Sequence, residues 1–179
     1  NIIAEDNFVT TDYEDINNFV SVISEKILEM VEANGGYETI RSLGISSPSA
    51  SFISGNIVNA PNLPWRGIIP LSAMIRDRLG LAVAVANDAH VAALGEYTFG
   101  AAHGMKDFII ISLGIGLGSC VFSKGHEHQG HEGFAGEFGH TCIHPNGRKC
   151  ACGKEGCLEA YVGARGIVYT ANELMKESD

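Results

Sequence analysis

Cys150, Cys152 and Cys157 stand within eight positions of one another, and His140 lies ten positions before the first of them. Three thiols and one imidazole are the ligand set of a four-coordinate structural zinc site. Gly153 and Gly156 permit the tight turn that returns Cys157 to the same centre. Four protein ligands leave no open coordination position, so the spacing predicts a zinc that braces the chain and does not hydrolyse anything. Two carboxylates, Glu137 and Glu159, flank the ligands. A cage of this kind would hold both acids in fixed positions.

Two other constellations could do chemistry. Leu81 to Ala86 is a continuous apolar run, LAVAVA, followed directly by Asn87-Asp88. Such a run suits a buried parallel strand, and ligands of open α/β sheets bind outside the carboxyl ends of strands. Asp88 as a simple helix N-cap is the alternative. Farther on, Gly114-Ile115-Gly116-Leu117-Gly118 separates two apolar runs, Asp107–Leu113 and Cys120–Phe122. This reads as a hairpin whose backbone N–H groups could cradle an anion; a tight turn without a ligand fits equally well. His126, His128 and His131 invite a metal reading, but solvated loop histidines are the plainer one.

The elements that must position these residues follow from periodicity. Ile16, Phe19, Val20, Ile23, Ile27, Met30 and Val31 form a helical stripe. Glu14 and Asp15 suit its positive end, and Asn34-Gly35-Gly36 ends it. Ile2-Ile3-Ala4 reads as the tail of a strand, Leu43–Ser46 and Ile57-Val58 as short strands. A helix begins at Pro70 and ends at Gly80; another follows Asp88. Leu158 to Lys176 reads as a helix weakened by Gly163 and Gly166. The Gly/Ala-rich stretch Gly100–Lys106 is the expected boundary between one α/β lobe, residues 1–104, and a second, residues 105–179, that carries the zinc segment.

The 179 residues carry a formal charge of −9, are 45% hydrophobic and 18% charged. That profile excludes a disordered chain, and the absence of any basic block argues against nucleic acid or anionic membrane as partner. No apolar run approaches a membrane span. Five cysteines are an odd number; Cys120 and Cys142 sit among apolar neighbours. This is poor disulfide arithmetic and suits a reducing, cytoplasmic compartment.

The motif GEFGH, nine residues, then CACGKEGCLE resembles the signature of the ROK family of repressors and sugar kinases. Glu137, His140, Cys150, Cys152, Gly153, Gly156, Cys157 and Glu159 fill the pattern without a gap. Pro61-Asn62-Leu63-Pro64-Trp65, Asn87-Asp88-Ala89 and Leu113–Gly118 resemble three further motifs of the family, in the family's order. Within it, the bacterial glucokinases and related hexokinases are most similar. The resemblance implies an α/β, actin/hexokinase-like (ribonuclease H-like) two-lobed fold, here incomplete at both ends. It implies transfer of the ATP γ-phosphoryl, with Mg, to a hexose, glucose first. Asp88 would be the general base. Asn87, Asp88, Glu137, His140 and Glu159 would bind the sugar between the lobes, with Asn87 and Asp88 from the first and the others from the second. Gly114, Ile115, Gly116 and Gly118 would face the nucleotide phosphates. Ile115 replaces the family's threonine, removing a hydroxyl donor, and the family's N-terminal DxGGT-like turn is not among these residues. A chain so cut is expected to be inactive alone, and its full-length form to be a homo-oligomer. A sugar-sensing repressor and a non-catalytic sugar-binding protein are the alternatives.

Overall fold

Asp15 opens the first long helix: its carboxylate accepts the Asn17 N–H at 2.9 Å, satisfying one of the donors that a helix start leaves free. Helix α1 (Ile16–Ala33) follows, with Phe19, Val20 and Val31 of its stripe buried. The structure, a computed structural model, describes residues 2–177; Asn1, Ser178 and Asp179, the ends of the two expected lobes, lie outside the described residues. Ile2-Ile3-Ala4 is exposed and joins no strand. Among the described residues no strand pairs with that apolar triplet.

The described chain forms two compact units, Asn1–Asn87 and Asp88–Asp179. In the first, β1 (Ser42–Ser46) runs parallel to β5 (Ala82–Ala86), in register from Ser42 opposite Ala82 to Ser46 opposite Ala86. Three shorter strands, β2 (Ala50–Ser51), β3 (Asn56–Val58) and β4 (Ile68–Ile69), pair antiparallel. Helix α2 (Leu71–Leu79) starts after Pro70 and ends on Gly80, whose φ of 64° is left-handed and favours glycine. Phe19, Val20, Ile57, Trp65, Leu71, Ile75, Leu79 and Val85 make one apolar core. Trp65 also donates its indole N–H to the Tyr13 carbonyl at 2.9 Å. The LAVAVA strand is not buried on both faces: Ala82 and Ala84 are exposed, because the sheet has two strands and one covered face within this chain.

The second unit begins with helix α3 (Asp88–Phe99), which packs on the hairpin β6 (Phe108–Leu113) and β7 (Leu117–Ser123). Ala93 and Tyr97 from the helix meet Phe108, Ile110, Cys120 and Phe122 from the strands. The unit boundary therefore falls at Asn87/Asp88, ahead of the Gly100–Lys106 connection where composition puts it. Strand β8 (His126–Glu127) adds to β7. The expected final helix breaks at Gly163 into α4 (Glu159–Val162) and α5 (Ala164–Glu177). No described helix is long and apolar enough to cross a membrane.

Candidate functional site

The cysteine segment is folded by its own turns. The Cys150 N–H donates to the Lys154 carbonyl at 2.8 Å and the Gly153 N–H to the Cys150 carbonyl at 3.0 Å. Gly153 and Gly156 take φ of +89° and +76°, where a side chain would be strained. Arg148, which spacing did not single out, fastens this segment to the following helices. Its guanidinium donates to the carbonyls of Ala160 and Gly166, pairs with Glu173 at 2.7 Å, and lies over Tyr161 and Tyr169. A long cation next to aromatics is the one signal that could have marked it.

His140, Cys150, Cys152 and Cys157 offer ligand atoms that all lie within 4.8 Å of one another. Cys152 Sγ is 3.8 Å from Cys157 Sγ, and Cys150 Sγ is 3.6 Å from His140 Nδ1. A zinc tetrahedron with bonds of about 2.3 Å to sulfur and about 2.05 Å to nitrogen has edges of about 3.8 Å and about 3.6 Å. The donor set fits a metal in type, number and spacing. Burial pushes the Cys150 thiol up to about 12 and also raises Cys157. Such thiols become ligands when a cation takes the place of their protons. Cys142 is exposed, contrary to its apolar neighbours in sequence; its backbone bridges to Cys157 while its side chain stays outside. His126, His128 and His131 are exposed and join no ligand group among the described residues.

The carboxylates come next to this cluster. Glu137 immediately precedes a 3-10 turn, Phe138–His140, so three residues carry the chain from the acid to the candidate ligand histidine. Burial pushes the Glu137 carboxyl up; the His140 and His90 rings pull it down, and the Asp88 and Glu159 carboxylates push it up again. The charges of Asp88 and Glu159, in the same unit, thus reach Glu137. Asp88 is the first residue of α3, and its Oδ1 accepts the Ala89 N–H at 2.8 Å, so it also serves as the local cap. It stands in the same unit as Glu137, His140 and Glu159, while Asn87, which is buried, ends the first.

Glu159 opens α4, and its Oε2 accepts the Leu117 N–H at 2.9 Å. One oxygen of this acid is therefore committed to the glycine hairpin. The hairpin turn is Gly114–Gly116, closed by the Gly114 N–H on the Gly116 carbonyl at 3.0 Å, with Ile115 exposed. A Cβ on Gly116 would strike the Glu159 carboxylate; one on Gly118 would fall 2.9 Å from Ala89 Cβ. These two glycines give room to the acid and to α3. Gly114 alone has open space beside it.

Ser119 is a further residue that sequence reasoning missed. It is buried on β7, donates its hydroxyl to the Gly136 carbonyl, and accepts the Phe138 N–H at 3.1 Å. It thus grips the backbone on both sides of Glu137. Nothing in a lone serine within a strand signals such a role.

Comparison with known proteins bears on this arrangement. A glucokinase of Streptomyces coelicolor is 36% identical over 173 residues, covering 94% of this chain and 53% of the relative. A xylose repressor of Caldicellulosiruptor bescii is 38% identical over 124 residues, covering 69% of this chain and 31% of the relative. A ROK glucokinase of Streptomyces griseus, solved with glucose and AMPPNP, superposes with a TM-score of 0.72 at 36% identity, over 86% of this chain and 49% of that one. The chain spans about half the length of the glucokinases it matches. Its mixed parallel and antiparallel α/β architecture is that of the actin/hexokinase-like sugar kinases. The sequence model of the ROK family matches residues 2–179, and the chain belongs to that family.

Proposed function

We propose that the protein phosphorylates a hexose with ATP, glucose being the first candidate. The observation that carries this reading is the convergence of Asp88, Glu137 and Glu159 beside His140, next to a cluster of four metal-ligand atoms. Several fixed carboxylates beside an imidazole suit a polyhydroxylated ligand, whose hydroxyls donate to them. Glu137 and the second oxygen of Glu159 would accept sugar hydroxyls. His140 would use one ring nitrogen on the metal and the other toward the sugar, with Asn87 adding an amide. The metal would be a structural zinc held by His140, Cys150, Cys152 and Cys157, fixing the orientation of the acids that flank it.

In this reading the hexose hydroxyl oxygen attacks the γ-phosphorus of ATP, the bond to ADP breaks, and the hydroxyl proton passes to Asp88. Phosphoryl transfer depends chiefly on positioning and charge neutralisation, so Asp88 needs no unusual basicity. Mg and the backbone of Gly114–Gly118 would neutralise phosphate charge, Gly114 being the position with free space. The identity to glucokinases and the glucose- and nucleotide-bound relative support this assignment. A reducing, cytoplasmic site of action suits five unpaired cysteines, and a homo-oligomer is part of the same proposal.

The xylose repressor match favours a second reading, a sugar-responsive regulator. A coupled assay of ATP-dependent phosphorylation of glucose, mannose, N-acetylglucosamine and xylose separates the two. Turnover with a hexose is expected; sugar binding without turnover on any of them would overturn the kinase reading.

A further inference from the structure

His90 is a buried titratable group that phosphoryl transfer does not use. It lies two residues after Asp88 on α3 and is 6% exposed. Its Nδ1 is 2.5 Å from Glu127 Oε1 on β8. This close contact is an ion pair when the ring is protonated. The other Glu127 oxygen accepts from Gln129 Nε2 at 3.1 Å. The backbone of Ala135 also interacts with the ring and favours its charged form. Glu127 and Ala135 are the two ends of the loop that delivers the chain to Gly136-Glu137. Ser119 grips that chain from the other side.

Cys120 Sγ lies with His90 and Glu127 in a group spanning 4.8 Å or less, which raises a second metal as the alternative. A nitrogen and an oxygen bound to one tetrahedral metal at about 2.05 Å would be about 3.3 Å apart. The observed 2.5 Å is shorter than a metal-held pair and places ring and carboxylate in direct contact. Burial pushes the Cys120 thiol up to about 12, so it faces the pair as a neutral group. The groups that face His90 are therefore Glu127 from β8, Glu137 from the loop and neutral Cys120 from β7.

We propose that His90, as an imidazolium paired with Glu127, is a positioning residue for Glu137, so that hexose binding weakens when the ring loses its proton and the pair dissolves. This rests on the reading of Glu137 as a hexose ligand. The sign follows from the contacts. The Glu127 carboxylate raises the His90 ring above the usual histidine range, against burial, which lowers it. The same contact lowers Glu127. The pair is intact from mildly acidic pH until the ring loses its proton. With that proton goes a cation that favours the ionised form of Glu137.

The test is calorimetric titration of glucose into the protein, His90→Asn and Glu127→Gln between pH 6 and 9. NMR titration of the His90 ring and hydrogen exchange of residues 128–137 run in parallel. For the native sequence, glucose affinity should fall about threefold to tenfold across the His90 transition. Glu127→Gln should move both the ring's midpoint and the fall to lower pH, and His90→Asn should bind weakly at every pH without the fall. An unchanged midpoint in Glu127→Gln, a flat glucose affinity through the His90 transition, or two metal ions per chain would overturn the proposal. If glucose binds at no pH, the hexose reading fails. The latch is then judged on exchange alone: protection of residues 128–137 should drop as His90 deprotonates, and constant protection would overturn it.

Discussion

Asp88 and Glu137 are neighbouring carboxylates whose surroundings differ. Asp88 is exposed at a helix start, while Glu137 is partly buried among other acids. Replacing Asp88 by Asn keeps an oxygen for the Ala89 N–H and removes the proton acceptor. Turnover is expected to fall about 10²–10⁴-fold, with the glucose dissociation constant changing less than about threefold; steady-state kinetics and calorimetry together check this. Glu137→Gln should act on stability instead. The folded protein raises the Glu137 carboxyl, first through burial. Its favourable contribution is therefore complete below the unfolded carboxylate range, near pH 4, and is lost as pH rises through the higher folded value. The Gln variant should melt on the order of 2 °C higher than the native protein at pH 7, with the difference vanishing toward pH 4, while binding glucose less tightly. Thermal melts across pH read the sign directly. The chemistry-bearing residues were legible because acids, thiols and an imidazole recur at close spacing. Ser119, Arg148 and the His90–Glu127 pair were not, since each acts on a partner 19 to 37 positions away or on backbone atoms.

At the scale of elements, the β6–β7 hairpin is the joint on which α3, α4 and the metal segment meet. Gly118 lets α3 lie against β7, and Gly116 lets Glu159 reach the Leu117 N–H. Gly118→Ala should cost about 1–3 kcal/mol, the range for an overpacked site, because the atom it meets is Ala89 Cβ on a helix backbone and cannot swing aside; chemical denaturation measures it. The metal segment is a second joint. Cys152→Ser should lower zinc from one per chain to near zero in the presence of a chelator, and retention of one zinc would refute the ligand assignment. Element type was largely readable from periodicity: α1, α2, β1 and the β6–β7 pair occur where the pattern puts them. The break at Gly163 was readable as a weakness but not as a stop. There the Gly163 N–H returns to Glu159, and a Cβ would press on the Ile115 backbone.

At the scale of the whole chain, the two units are sustained differently. The first buries twelve residues in one apolar cluster, while the aromatic cluster of the second buries three. A small core usually needs a staple such as a metal. Removing the proposed zinc with a chelator should therefore expose amides of residues 138–160 to hydrogen exchange first, while those of α1 and α2 keep their protection. Equal loss in both regions would show that the metal is not a local staple. Composition marks loops such as Gly100–Lys106, whereas the allegiance of α3 depends on which strands its Ala93 and Tyr97 touch.

The sequence by itself determined the family and marked four candidate metal ligands and the acids that flank them, since these depend on residue type and spacing along one chain. Tertiary structure alone decided that Asp88 stands in the same compact unit as Glu137, His140 and Glu159, that two hairpin glycines make room for Glu159 and α3, and that Ser119 grips the backbone on both sides of Glu137. Those are contacts between residues far apart in the chain, fixed by helix and strand packing that no local spacing encodes.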